Sequence, residues 1–144
     1  MKILLDTNVV MDLLLEREPF FEASREIFLL VEEKKVQGFL SASSITTIHY
    51  LLNKAISKDE ADETINILLK LFDITPLDKD TLLNALKTNG NDFEDSVIYN
   101  SAEKSNIDYL ITRDKKGFKN SKVSILTPVE FIGFFQSLML KDNL

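Results

Sequence analysis

Apolar and polar positions along the chain fall into short blocks whose period switches back and forth. Ile3, Leu4 and Leu5 form a continuous apolar run that stops at Asp6-Thr7-Asn8. A run of that kind, bounded by capping residues, reads as a buried strand leading into a helix. That helix is predicted over residues 9–15, with Arg17-Glu18-Pro19 breaking it. A longer helix is predicted over residues 20–36, because Phe20, Ala23, Ile27, Leu30 and Val31 recur at helical spacing. Gly38-Phe39-Leu40-Ser41 reads as a second strand. Ser43 or Ser44 is placed to cap the next helix, which carries Ile45, Ile48, Leu51 and Leu52. Lys58-Asp59-Glu60 opens another, with Ala61, Ile65, Leu68 and Leu69 inward. A third strand is predicted over residues 72–77 and a further helix over residues 80–87.

Thr88-Asn89-Gly90-Asn91 is a turn cluster, after which Asp92-Phe93-Glu94-Asp95 starts a helix running to about Lys104. Its acidic first turn suits the positive end of the helix dipole. Residues 109–112 form a predicted fourth strand ending in Arg113-Asp114, and residues 123–126 a fifth. Thr127-Pro128 caps a last helix, on which Phe131, Phe134, Phe135 and Leu138 make an apolar stripe. Strands alternating with helices predict a three-layer α/β/α fold around a central parallel sheet of about five strands. The absence of a linker or internal repeat predicts a single domain over residues 1–144.

Composition narrows the class. The chain has 144 residues, 44% of them hydrophobic and 28% charged, which suits one packed core and argues against disorder. No apolar run approaches a membrane span. Lys2 followed by a short apolar run ending in Asp6 is a poor signal peptide, so a cytoplasmic location is expected. With no cysteine and one histidine, disulfide frameworks and zinc sites are excluded. The net charge of −6, from 17 basic and 23 acidic residues, argues against a protein that coats duplexes. It leaves room for an acidic pocket in which a divalent cation reverses the local sign.

Ligands of open α/β sheets sit beyond the carboxyl ends of the strands. Asp6 directly follows the first strand and Asp114 the fourth. Asp92 and Asp95 lie three apart at a helix start and share one face. An aspartate at any one of these places is ordinary as a turn former or cap. Asp12, Asp59, Asp73, Asp78 and Asp80 read as caps and solvated faces by the same reasoning. Asp6, Asp95 and Asp114 together, however, are three sequence-distant acids directed to one edge, and carboxylates with water suit a hard cation. Glu94 lies about 100° around the helix from its neighbours and reaches either the rim of that cluster or water. His49, two residues after Thr47, is expected to point away.

Leu4-Leu5-Asp6-Thr7-Asn8-Val9-Val10, Asp92-Phe93-Glu94-Asp95 and Ile111-Thr112-Arg113-Asp114 occur in the order and spacing of PIN domains. Lys116-Gly117-Phe118 and Leu126-Thr127-Pro128-Val129-Glu130-Phe131 resemble the same family. The resemblance covers nearly the whole chain and is nearest the bacterial branch that includes VapC-type toxin ribonucleases. It implies a divalent-metal-dependent ribonuclease that hydrolyses RNA phosphodiester bonds with Mg²⁺ or Mn²⁺, as the toxin of a toxin–antitoxin pair. RNA and an antitoxin protein are the implied partners, and a homodimer the implied assembly. Asp6, Asp95 and Asp114 match three of the family's four acids and are expected to hold the metal, with Asp92 beside them. The fourth is absent: Thr47 stands where the family carries glutamate. Thr7, Asn8, Ser43, Thr47, Glu94 and Thr112 are expected to orient carboxylates and water, and Arg113, Lys115 and Lys116 to meet RNA phosphates.

The threonine at position 47 sets up the alternative, a catalytically weakened PIN domain acting as an RNA- or protein-binding module. Two other acid-based phosphoryl-transfer classes fit less well. A haloacid-dehalogenase-type phosphatase expects an aspartate where Asn8 stands, and a response-regulator receiver expects an acidic pair where only Met1-Lys2 precedes the first strand.

Overall fold

A computed structural model describes residues 1–88, 92–118 and 122–142. The chain runs through β1 (Lys2–Leu5), α1 (Thr7–Leu14), α2 (Phe21–Glu32), β2 (Gln37–Ser41), α3 (Ala42–Ala55), α4 (Lys58–Leu71) and β3 (Asp73–Thr75). It continues through α5 (Lys79–Lys87), α6 (Phe93–Lys104), β4 (Tyr109–Ile111), a 3₁₀ turn (Lys115–Phe118), β5 (Ser124–Leu126) and α7 (Pro128–Asp142). The five strands pair in the order β3-β2-β1-β4-β5, every pair parallel. This is the three-layer architecture the alternation predicts.

Side chains of the central strands alternate between two cores, as the period-2 pleat requires. Ile3 and Leu5 of β1, Leu40 of β2 and Ile111 of β4 face a large core shared with α1, α2, α3, α4 and α7. Leu4, Phe39 and Leu110 face a smaller core closed by Ile98 and Ala102 of α6 and by Phe118. Burial on both faces explains why β1 reads as an unbroken apolar run rather than an alternating one.

Several boundaries differ from the sequence reading. The helix predicted to reach residue 36 stops at Glu32, because Lys34 takes a left-handed φ of 59° and turns the chain into β2. Ser41, not Ser43 or Ser44, caps α3, its hydroxyl accepting from Ser43 N. β3 is only three residues long: Phe72 is core rather than strand, and Pro76 has no N–H for the ladder. The expected turn at residues 88–91 lies largely outside the described residues. On α4, Leu69 is exposed although its spacing predicted burial. The stripe on α7 is mostly consumed by the core: Phe131 and Phe135 are buried, and Tyr109 stacks against Phe131 and Phe134. Apolar surplus is left on α7, where Val129, Met139 and Leu140 are exposed, and on α5, where Thr81 and Ala85 face inward and Leu82, Leu83 and Leu86 face out.

Among the described residues, no helix is long and apolar enough to cross a membrane.

Candidate metal centre

The strand order reverses at β1. The chain winds from β1 through β2 to β3 on one side, then returns to lay β4 on the other. Such a switch point leaves a crevice at the carboxyl ends of β1 and β4. Asp6 follows β1 there and Asp114 follows β4. The two strand ends are tied by a hydrogen bond from Asp6 N to Ile111 O of 2.9 Å.

Asp6 is held from two sides. It is the N-cap of α1, its Oδ1 accepting from Thr7 N at 2.8 Å. Its Oδ2 accepts from the buried Thr112 hydroxyl at 2.8 Å. Asp6 is nearly fully buried, and burial pushes its pKa up. The two hydrogen bonds oppose that rise, while the charges of Glu94 and Asp114 add to it. Thr112 also accepts from Asp114 N at 3.2 Å, so one hydroxyl connects both acids. Asp114 is exposed, with Oδ1 accepting from Lys116 N.

α6 delivers the remaining acids. Asp92 is its N-cap, Oδ1 accepting from Glu94 N at 2.9 Å and from Asp95 N at 3.4 Å. That oxygen serves the cap, and Asp92 acts on the site chiefly through its charge. Asp95 is the most perturbed acid of the group. Burial, then the charges of Asp6, Asp92, Glu94 and Asp114, push its pKa up to about 7. Asp6, Asp92, Glu94 and Asp114 therefore lie near enough to Asp95 for their charges to act on it. An alanine Cβ built at Gly117 would stand 2.7 Å from Asp95 Oδ2. The 3₁₀ turn is thus shaped around this carboxylate, and Gly117 is a site residue that its motif marked without revealing its contact.

Thr47, which stands for the family's glutamate, meets an acid from a different helix. Thr47 of α3 donates to Glu94 Oε1 at 3.3 Å and to Ser43 O at 3.2 Å. Of the two places the sequence left open to Glu94, it takes the rim of the cluster, beside the threonine that stands for glutamate. Thr7 donates to the buried Ser44 hydroxyl at 2.8 Å, joining α1 to α3 beneath the site. Ser44 is thus a supporting residue that the sequence reading treated only as a cap. Ser43 bonds Ser41 within the α3 cap. Asn8 Oδ1 is buried with no hydrogen-bond partner among the described residues. Asp6, Thr7, Asn8, Met11, Arg17, Thr47, Leu51, Glu94 and Asp95 line an open cleft of about 230 Å³.

Three expectations about flanking residues change. Asp12, read as solvated, is fully buried, 2.7 Å from Arg113 Nε and 3.8 Å from Arg17 Nη1. Burial raises its pKa, and the two arginines pull it back. Arg113, expected at RNA phosphates, is engaged by Asp12 and stacks over Phe20 at 4.1 Å. Lys115 pairs with Glu130, leaving Lys116 exposed at the edge of the site. His49 points to Asp62 of α4, away from the cleft, as predicted.

The donor set fits a hard divalent cation. All groups are oxygens, like-charge crowding disfavours the ion-free state, and the cradle at Gly117 holds Asp95 without steric competition. Among the described residues, no three acids are close-set enough to ligate one ion unaided. Mg²⁺ characteristically keeps several waters and takes one or two carboxylates, which such an arrangement permits.

Comparison with known proteins agrees with the fold. The family model for the PIN domain matches residues 2–116. Ribonuclease VapC1 of Aquifex aeolicus (strain VF5) is 28% identical over 135 residues, covering 90% of this chain and 92% of its own. VapBC2 of Rickettsia felis, solved with a promoter DNA fragment, superposes with a TM-score of 0.65 at 18% identity, covering 88% of this chain and 98% of its own. FitAcB of Neisseria gonorrhoeae superposes with a TM-score of 0.66 at 24% identity, over 88% and 98% of the two chains. The match of the family model over most of the chain, on a fold whose switch point gathers its acids, makes this chain a member of the PIN-domain family.

Proposed function

We propose that the chain is a divalent-metal-dependent ribonuclease that hydrolyses RNA phosphodiester bonds, and the toxin of a toxin–antitoxin pair acting in the cytoplasm. The observation that carries the reading is the crowding of Asp6, Asp92, Glu94 and Asp114 around Asp95 at the switch point of the sheet. Asp6, Asp95 and Asp114 would hold Mg²⁺ or Mn²⁺ partly through the cation's own waters, with Glu94 supplying the fourth negative charge. Bound there, the cation would acidify an attacking water and offset charge on the phosphoryl oxygens. Thr112 fixes Asp6 and steadies Asp114, Thr47 turns Glu94 inward, and Thr7 locks the start of α1 onto Ser44. Lys116 is placed to meet a phosphate of single-stranded RNA, whose backbone is exposed.

A labelled single-stranded RNA incubated with the protein and Mn²⁺ should be cut, and a chelator should stop the cutting. RNA retention without cleavage, indifferent to Mn²⁺, would instead favour the binding-module reading that Thr47 motivates. Glu94→Gln separates the two sources of the fourth acid. It is expected to weaken Mn²⁺ binding about tenfold in calorimetry, while Thr47→Ala costs less. Equal affinities for Glu94→Gln and the unaltered protein would remove Glu94 from the site.

The toxin reading expects a neutralising protein, and one structural neighbour is a toxin–antitoxin complex from Klebsiella pneumoniae. Homodimerisation belongs to the same reading, with the outward Leu82, Leu83 and Leu86 of α5 as the contact. Light scattering at high micromolar concentration should give a dimer, and Leu83→Glu with Leu86→Glu a monomer. A monomer for the unaltered chain would end the dimer proposal.

A further inference from the structure

α1 meets the segment after β4 at two points. At its start, the N-cap Asp6 accepts from the Thr112 hydroxyl at 2.8 Å. In its second turn, Asp12 Oδ2 lies 2.7 Å from Arg113 Nε, an ion-pair contact that lacks hydrogen-bond geometry. These are adjacent residues of one short segment whose next residue is the site acid Asp114. Asp12 is fully buried, and its other oxygen lies 3.8 Å from Arg17, a residue that lines the acid cleft. The Arg113 guanidinium is further confined by the Phe20 ring at 4.1 Å, and Phe20 N donates to Arg17 O at 3.0 Å.

We infer that Asp12 is a positioning residue of the metal centre: its charge holds Arg113, and so fixes the orientation in which the adjacent Asp114 faces Asp6. Thr112 itself is fixed, by its hydroxyl on Asp6 and by its N–H donating to Leu126 O at 3.0 Å, but these bonds leave the residues beyond it free to turn. A second anchor one residue along removes that freedom. Buried ion pairs are poor devices for stability, because burying the charges costs about as much as their attraction returns. They are effective at holding one geometry, since the alternatives leave a charge unpaired in the interior. Asp12 touches neither substrate nor metal in this scheme. It acts through Arg113, in the way that partners of ligands elsewhere set the ligands' orientation.

The inference rests on the metal-dependent reading of the cleft, and the experiment separates the two. Mn²⁺ affinity by calorimetry and amide exchange at Asp114 in the metal-free protein are measured for the unaltered chain, for Asp12→Asn, and for Asp12→Leu combined with Arg113→Met. The double variant replaces the pair by apolar groups and is expected to keep a melting temperature near that of the unaltered protein. Both variants should bind Mn²⁺ about 10- to 100-fold more weakly and exchange the Asp114 amide faster. RNA cleavage should lose kcat with little change in KM. A folded double variant with unaltered Mn²⁺ affinity overturns the positioning role and leaves the metal site standing. If the unaltered chain binds no Mn²⁺, the cleft reading fails and takes this inference with it. Should neither variant fold, the unaltered protein still decides: an Asp114 amide that exchanges as fast as a free loop overturns the inference.

Discussion

Asp6→Asn is expected to leave a folded protein whose RNA cleavage has fallen by roughly 10²- to 10³-fold, the loss typical of removing a preorganised group aimed at developing charge. Asparagine is as good an N-cap as aspartate, so α1 should start where it does now. Its amide can still meet Thr7 N and the Thr112 hydroxyl, the two present partners of Asp6. What disappears is the negative charge, which the buried position makes costly in the absence of a cation. Activity and stability should therefore move apart: cleavage collapses while the metal-free melting temperature holds or rises. Asp114→Asn should behave alike, with a smaller effect on stability because Asp114 is exposed. Initial rates on labelled RNA with Mn²⁺, measured beside thermal melts, test this. Undiminished cleavage in Asp6→Asn would falsify the assignment of the site.

The second large effect concerns pH. The Asp95 pKa stands at about 7 in the fold, against 3.8 for the ordinary carboxyl. Between these values the folded chain binds a proton that the unfolded chain has released. Stability is therefore highest below the unfolded value, falls as pH rises through about 4 to 7, and levels off above. Asp6, also raised, works in the same direction. Carboxylates held low, such as Asp62 beside Lys58 and Glu130 bonded to Thr127, act only at the acid end and lose their contribution as pH falls. The metal-free protein should thus melt higher at pH 5 than at pH 8. Mn²⁺ should reverse the order, since it binds the deprotonated site. Asp95→Asn should flatten the profile. Solvent screens this partly exposed group, so the gain at pH 8 is set at about 1 kcal/mol, or roughly 3 °C. A metal-free profile flat from pH 5 to 8 would show that the acids do not crowd Asp95.

What the sequence disclosed depends on the range of the interactions involved. β1 and β4 announced themselves because both faces are buried, and Asp6 and Asp114 because they terminate such runs. Caps were less legible: Ser41, Ser43 and Ser44 are chemically alike, and only the backbone angle of Ser41 decides which starts α3. α5 hid its orientation, since large leucines face out and a threonine and an alanine face in, opposite to the usual pattern. Asp12 was the clearest miss. An aspartate on an amphipathic helix reads as solvated, and the arginine that justifies its burial lies about a hundred residues further on. Glu94 sat between the two: its angle on α6 left it either rim or solvent, and Thr47, reached across the fold, decided for the rim.

The bond between Thr112 and Asp6 closes a loop of 106 positions. Loop closure over such a distance is late and entropically demanding. A chain emerging from synthesis carries Asp6 almost from the start. It cannot set that carboxylate beside Asp114 until β4 has slotted against β1, after the other edge of the sheet is complete. A nascent chain exposed as far as α5 has three strands, a sizeable core and one of its three principal acids. Distributing the acids over both ends of the chain thus delays assembly of the acid cleft, and with it the proposed hydrolysis, to the final stage of folding.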